Sequence, residues 1–164
     1  MQKSFLTTHQ RACRIQVINY IYNSRQRFGD ITRATLTQAV CIFDKCIQSG
    51  LFVENLEMTH LDISVIGLTC ILIASKFSDV HSLKVKRITQ TCKEDGLETE
   101  LILDQEQSIL EALDFDIPME SIYTGFEKYL VENCTQSKNR NCHIRALKFL
   151  KEAIKENENL SWNS

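Results

Sequence analysis

Apolar residues recur along this chain at helical spacing, and the breaks in that recurrence divide it into segments. From about Thr8 to Phe28, the positions Cys13, Val17, Ile18, Ile21 and Tyr22 repeat with a helical period. Arg11, Arg14, Gln16 and Arg25 decorate this stretch, and Gly29-Asp30 breaks it. In RATLTQAVCIFDKCIQSG, the residues Leu36, Ala39, Val40, Phe43, Cys46 and Ile47 fall on one face, with Thr32 or Thr35 as its cap and Gly50 as its end. Residues 51–58 read as a connector.

The run LDISVIGLTCILIASKF, residues 61–77, is apolar on nearly every side, which predicts a helix enclosed by other helices. Gly67, Ala74 and Ser75 would let neighbours approach closely. Its β-branched residues Ile63, Val65, Ile66, Ile71 and Ile73 also suit a buried strand, but strands run to roughly four to eight residues, and the length favours a helix. The run is short for a membrane span and carries Asp62 and Lys76 near its ends, so it reads as a core helix.

Beyond it, residues 81–93 form a weaker helix anchored by Leu83, Val85, Ile88 and Cys92, broken at Asp95-Gly96. Residues 98–114 form a strong one with Leu103, Ile109, Leu110 and Leu113 inward, and Pro118 stops it or starts the next. Two more helices are predicted: 119–133, with Ile122, Tyr123, Phe126, Tyr129 and Leu130, and 141–157, with Ile144, Leu147, Leu150 and Ile154. The polar loop TQSKNRN joins them; the tail at 158–164 reads as frayed, with Trp162 either a stray aromatic or a docking residue. The fold class is therefore all-α.

Composition narrows the functions. Hydrophobic residues make up 43% and charged residues 24%, as in ordinary globular proteins, and five glycines and one proline fit helices joined by short loops. A net charge of −2 gives no electrostatic reason to expect nucleic acid or an anionic membrane as partner. The seven cysteines are odd in number, include no C-x-x-C pair and mostly sit in apolar periodic segments; they read as free thiols in a reducing, intracellular setting, nuclear or cytoplasmic. Asn133-Cys134-Thr135 would then be an unused sequon. The N-terminal MQKSFLTTHQ has no apolar signal core. Cys142-His143 is adjacent rather than spaced as metal ligands, so neither metal nor cofactor is expected. The four histidines, His9, His60, His81 and His143, are scattered, and no nucleophile–base constellation or phosphate loop suggests an enzyme.

Four stretches together resemble the cyclin box. Leu68-Thr69-Cys70 through Ala74-Ser75-Lys76-Phe77 is similar to that family's central helix ending in A-S-K-[FY]-E-E. Ala39-Val40 through Phe43-Asp44-Lys45 resembles A-V-x-x-x-D-R-[FY]-L. Glu106, Ile109-Leu110, Leu113 and Phe115-Asp116-Ile117 resemble E-x-x-[IL]-L-x-x-L-x-[FW]-x-[LIV], and Arg11 ahead of Val17-Ile18 resembles the arginine that opens the first helix. The resemblance covers roughly residues 8–118 and implies a five-helix cyclin box around a central third helix, with 119–157 similar to the start of a second repeat. Either that repeat is vestigial or the protein works with one box.

The resemblance implies a function and roles. The chain would be a non-catalytic regulatory subunit that binds and activates a cyclin-dependent serine/threonine protein kinase by packing on its C-helix. Lys76 and Glu106 match the residues that bond kinase main chain; Phe77, Leu110, Phe115 and Ile117 match apolar kinase-facing positions. Arg11 and Asp44 match an ion pair that joins the first two helices. On the residues alone, Lys76–Glu106 would be an ordinary intramolecular pair, or Lys76 a solvated lysine at a helix C-terminus where the dipole favours a cation, and the four apolar positions ordinary core. Two departures stand out: Ser78-Asp79 replaces the usual pair of acids, and the opening M-R-x-x-L-[VI]-[DN]-W reads Gln10-Arg11-Ala12-Cys13-Arg14-Ile15-Gln16-Val17. With Arg14 and Val17 in place of leucine and tryptophan, docking of R-x-L substrates is not expected. Arg33-Ala34-Thr35-Leu36 fits a minimal R-x-x-L degradation motif, read as fortuitous at a helix start. The competing function is a cyclin-fold scaffold, or a transcription-factor-like module, that binds no kinase.

Overall fold

A computed structural model describes residues 6–52, 57–118 and 140–156, with positions 125, 126 and 129 between them. Among the described residues the chain is helical, with no strand. The helices are α1 (Thr8–Asn23), α2 (Arg33–Gln48), α3 (His60–Ser78), α4 (Val85–Thr91), α5 (Thr99–Ala112) and α6 (Arg140–Glu156).

Threonines start the first three. Thr7 Oγ1 accepts from Gln10 N at 3.2 Å while Gln10 Oε1 accepts from Thr7 N at 2.8 Å, a reciprocal capping box. Thr32 caps α2 by accepting from Thr35 N at 3.2 Å. Thr59 and Asp62 form a second capping box on α3, at 3.1 and 2.8 Å. Asp62 is thus the N3 residue of a cap, where its charge also complements the helix dipole. At the far end of α2, Gly50 takes φ +90°, which a side chain would resist.

Helix α3 is the hub. Every residue from Ser64 to Ser75 is buried, and α1, α2 and α5 all pack on it. Its polar side chains are satisfied locally: Ser64 Oγ donates to His60 O at 2.8 Å and Thr69 Oγ1 to Val65 O at 2.6 Å. At Gly67 a Cβ would lie 2.8 Å from the Tyr20 ring, so the missing side chain is what lets α1 approach. By length and composition α3 would also cross a membrane, but here its surface lies against other helices.

Several boundaries differ from the sequence expectation. α1 ends at Asn23 and continues as a 3-10 turn, Ser24–Gln26. α4 spans only seven residues, because Leu83 N is taken by Ser75 Oγ at 2.7 Å and the chain before Val85 is held extended. On α5 Ile102 and Ile109 are buried, while Leu103 is 46% exposed; on α6 Leu147, Leu150 and Ile154 join the core and Ile144 is exposed. Of the expected 119–133 helix, Phe126 packs half-buried against the core and Tyr129 is exposed; the rest of it, like the tail with Trp162, lies outside the described residues.

Candidate functional site: the rim formed by the ends of α3 and α5

The last turn of α3 separates inward from outward residues. Ser75 accepts from Leu83 N, Ser78 Oγ donates to Gln38 Oε1, and Asp79 Oδ1 accepts from Thr35 Oγ1 at 2.7 Å. Ser78 and Asp79, the positions that depart from the family's acidic pair, therefore tie α3 to α2. Lys76 and Phe77 are left pointing outward, Phe77 at 48% exposure. Lys76 Nζ donates to Glu106 Oε1 at 2.6 Å, across thirty positions of sequence. The Glu106 side chain is 12% exposed and the Lys76 side chain 45%, so the carboxylate is set back and the ammonium stands at the edge. Lysine suits that place, with its stem over apolar surface and its head in water.

The second part of the rim follows α5. Asp114 N donates to Glu111 O at 3.0 Å and Phe115 N to Leu110 O at 2.9 Å, the paired bonds of a Schellman ending. Asp114 and Phe115 both take positive φ, 51° and 56°. A left-handed aromatic is strained by on the order of 1–3 kcal/mol and persists only where its surroundings hold it. Here they do. Lys45 Nζ grips Asp116 through its backbone oxygen at 2.9 Å and its carboxylate at 3.0 Å, Ile117 is buried, and Gln38 Nε2 donates to Pro118 O at 2.7 Å. Phe115 is thereby held out at 67% exposure.

Gln38, itself buried, bonds both segments: its oxygen takes Ser78 and its nitrogen holds Pro118. Sequence reasoning missed it, since nothing in its local pattern marks a glutamine between alanine and threonine as a bridge.

Two expectations need correction. Ile117 is 6% exposed and belongs to the core, and Leu110 is half-buried against it, so the outward apolar residues of the rim are Phe77 and Phe115. The left-handed backbone at Asp114 and Phe115 explains this: it turns Phe115 out as α5 ends, and the bonds from Lys45 to Asp116 and from Gln38 to Pro118 draw the following chain back so that Ile117 anchors inward. The ion pair expected between Arg11 and Asp44 is made by Arg14 instead. Arg14 Nε and Nη2 donate to the two Asp44 oxygens at 2.7 and 2.8 Å, with side-chain exposures of 2% and 0%, while Arg11 is exposed. Positions 11 and 14 share a helix face, so spacing alone does not choose between them.

Among the described residues, no cluster of histidine, cysteine and acidic side chains could hold a metal. Burial pushes the Cys46 thiol up to about 12, with the Asp44 charge adding to it, and burial raises Cys70 as well; both are core residues rather than nucleophiles.

Compared with known families, the chain matches the description "Cyclin, N-terminal domain" over residues 1–118. The chain belongs to the cyclin family. No curated protein matches it. The cyclin N-terminal domain is a regulatory, non-catalytic fold that works through protein partners. With Arg14 as the paired arginine, the cyclin motif M-R-x-x-L-[VI]-[DN]-W falls on Cys13-Arg14-Ile15-Gln16-Val17-Ile18-Asn19-Tyr20. The shift restores the amide and the aromatic, and Tyr20 is the ring packed on Gly67. It also removes the premise for expecting no R-x-L docking, because Arg14 and Val17 are buried rather than part of a basic surface.

Proposed function

We propose that this cyclin is the regulatory subunit of a cyclin-dependent serine/threonine protein kinase, and that it activates the kinase by packing the rim of α3 and α5 on the kinase C-helix. The observation that carries the reading is the Lys76–Glu106 pair beside the exposed Phe77. On docking, Phe77 and Phe115 would each contribute up to about 1.5–3 kcal/mol of apolar burial. Lys76 has donors left for a kinase carbonyl, and a charged partner makes the stronger kind of hydrogen bond. Turning the C-helix inward completes the kinase's Lys–Glu pair and orders its activation segment. The reading carries with it an intracellular location, nuclear or cytoplasmic.

One observation favours the scaffold alternative: Lys76 and Glu106 already satisfy each other at 2.6 Å. A pull-down of the tagged chain from its source cells, with mass-spectrometric identification of kinases, separates the two. The kinase reading expects one kinase recovered by the native chain and lost with Lys76→Ala/Glu106→Ala. Equal recovery by the double variant would refute the site. Recovery of no kinase by the native chain would refute the function.

A further inference from the structure

Away from the rim, the end of α1, the start of α2 and the inner face of α6 enclose an open cavity of about 180 Å³. Its walls carry Arg25, Arg33, Lys148 and Lys151 over apolar Leu36 and Leu147, and among the described residues no carboxylate lines it. The four cations come from two regions far apart in sequence, Arg25 with Arg33 and Lys148 with Lys151, so the fold brings the two pairs together. Among the described residues, none of the four is in a salt bridge. Glu152, next to Lys151 on α6, is engaged by Lys155 Nζ at 3.3 Å. The first turn of α2 supplies Arg33 and contains no acidic residue, so the positive end of the helix dipole adds to the same field.

Lys151 stands against the aromatic wall of this cavity. It is half-buried, with Nζ 4.8 Å from the centroid of the Tyr22 ring. Its pKa is lowered by burial first and then by the Lys155 charge; the Glu152 charge acts against this, and Arg33 adds a smaller lowering. Four cations thus stand around one opening. An anion would relieve their repulsion, and arginine's planar fork matches the oxygens of a phosphate.

We propose that this cavity binds a phosphate dianion, carried on a phosphorylated serine or threonine side chain or free in solution. It shares no lining residue with the Lys76–Glu106 rim, so the proposal stands apart from the kinase reading. The test is amide NMR of the labelled full chain at pH 7.5 and constant ionic strength. It is titrated with inorganic phosphate, a short phosphoserine peptide, its unphosphorylated form and its aspartate form. Saturable shifts at Thr37, Leu147 and Leu150 are expected with phosphate, with the phosphopeptide, or with both. Response to the peptide alone identifies a phosphorylated side chain as the ligand, and response to phosphate as well identifies a free-anion site. Arg33→Gln/Lys151→Gln, or the single exposed change Lys148→Gln if the first misfolds, should weaken binding at least roughly tenfold, one charged hydrogen bond's worth. Lys84→Gln/Lys86→Gln should leave it unchanged. Absence of saturation, equal binding of the unphosphorylated or aspartate peptide, or unchanged affinity in the cavity variants would overturn the proposal.

Discussion

Arg14 holds Asp44 through two parallel hydrogen bonds, at 2.7 and 2.8 Å, and turns its remaining donors to the backbone oxygens of Ile154 at 3.0 Å and Lys155 at 3.1 Å. One buried guanidinium therefore joins α1, α2 and the last turn of α6, where it also satisfies carbonyls that the helix end would leave open. Removing either charge strands the other in the core. Arg14→Ala and Asp44→Ala should each destabilise the chain by roughly 3–5 kcal/mol. Arg11→Ala, at the surface, should cost less than about 1 kcal/mol. Urea denaturation followed by circular dichroism measures all three, and equal effects at Arg11 and Arg14 would contradict the assignment.

These bonds from Arg14 make helix α6 an integral part of the bundle. Ile154 is 2% exposed in the common core, whereas Phe149 is 77% exposed on the same helix. Ile154→Ala should cost roughly 2–5 kcal/mol. Phe149→Ala should stay within about 0.5 kcal/mol despite the larger deletion. Thermal unfolding of the two variants side by side is sufficient. A neutral Ile154→Ala would mean that α6 does not dock in solution.

Buried thiols set the alkaline behaviour. Cys46 is raised from 9.0 to about 12 by burial, and Cys70 is raised for the same reason. The folded state thus keeps protons that the unfolded chain loses. Their contribution is complete below pH 9 and falls as pH rises above it, for Cys46 over the range from 9 toward 12, by up to about 1.4 kcal/mol per pH unit for each thiol. Stability measured from pH 8 to 11 should fall, and Cys46→Ala should flatten part of the slope. An unchanged slope in that variant would show that Cys46 is not buried as a neutral thiol.

Much of this arrangement was legible in the sequence, for identifiable reasons. The apolar run of α3 is long and enclosed, so its helix and its central place follow from pattern alone. Thr32 was one of two named caps and is the one used, and Lys76 and Glu106 do meet. What escaped depends on which of two equivalent-looking positions the tertiary structure buries. Arg11 and Arg14 lie one turn apart on one face, and only the descent of α6 onto that face decides between them. Phe115 and Ile117 both read as apolar partners of a kinase, but the left-handed ending of α5 sends one out and the other in. Asp62 marks the start of the apolar run in the sequence, and its capping box with Thr59 gives that charge its place. Gln38 acts through bonds to residues forty and eighty positions away, which no local pattern carries.

The central claim is that Lys76 and Glu106 form a kinase-binding rim rather than an internal ion pair. A charge exchange, Lys76→Glu/Glu106→Lys, tests it most directly. The exchange preserves an intramolecular pair, so the fold and its melting temperature should be close to native. A kinase backbone would instead meet donor and acceptor in reversed places. The affinity of the recovered kinase for the exchanged chain, read by biolayer interferometry, should fall at least roughly tenfold. Phe77→Ala should weaken it independently. Native affinity in the exchanged chain would contradict the account, because it would reduce Lys76 and Glu106 to a pair that serves only the fold.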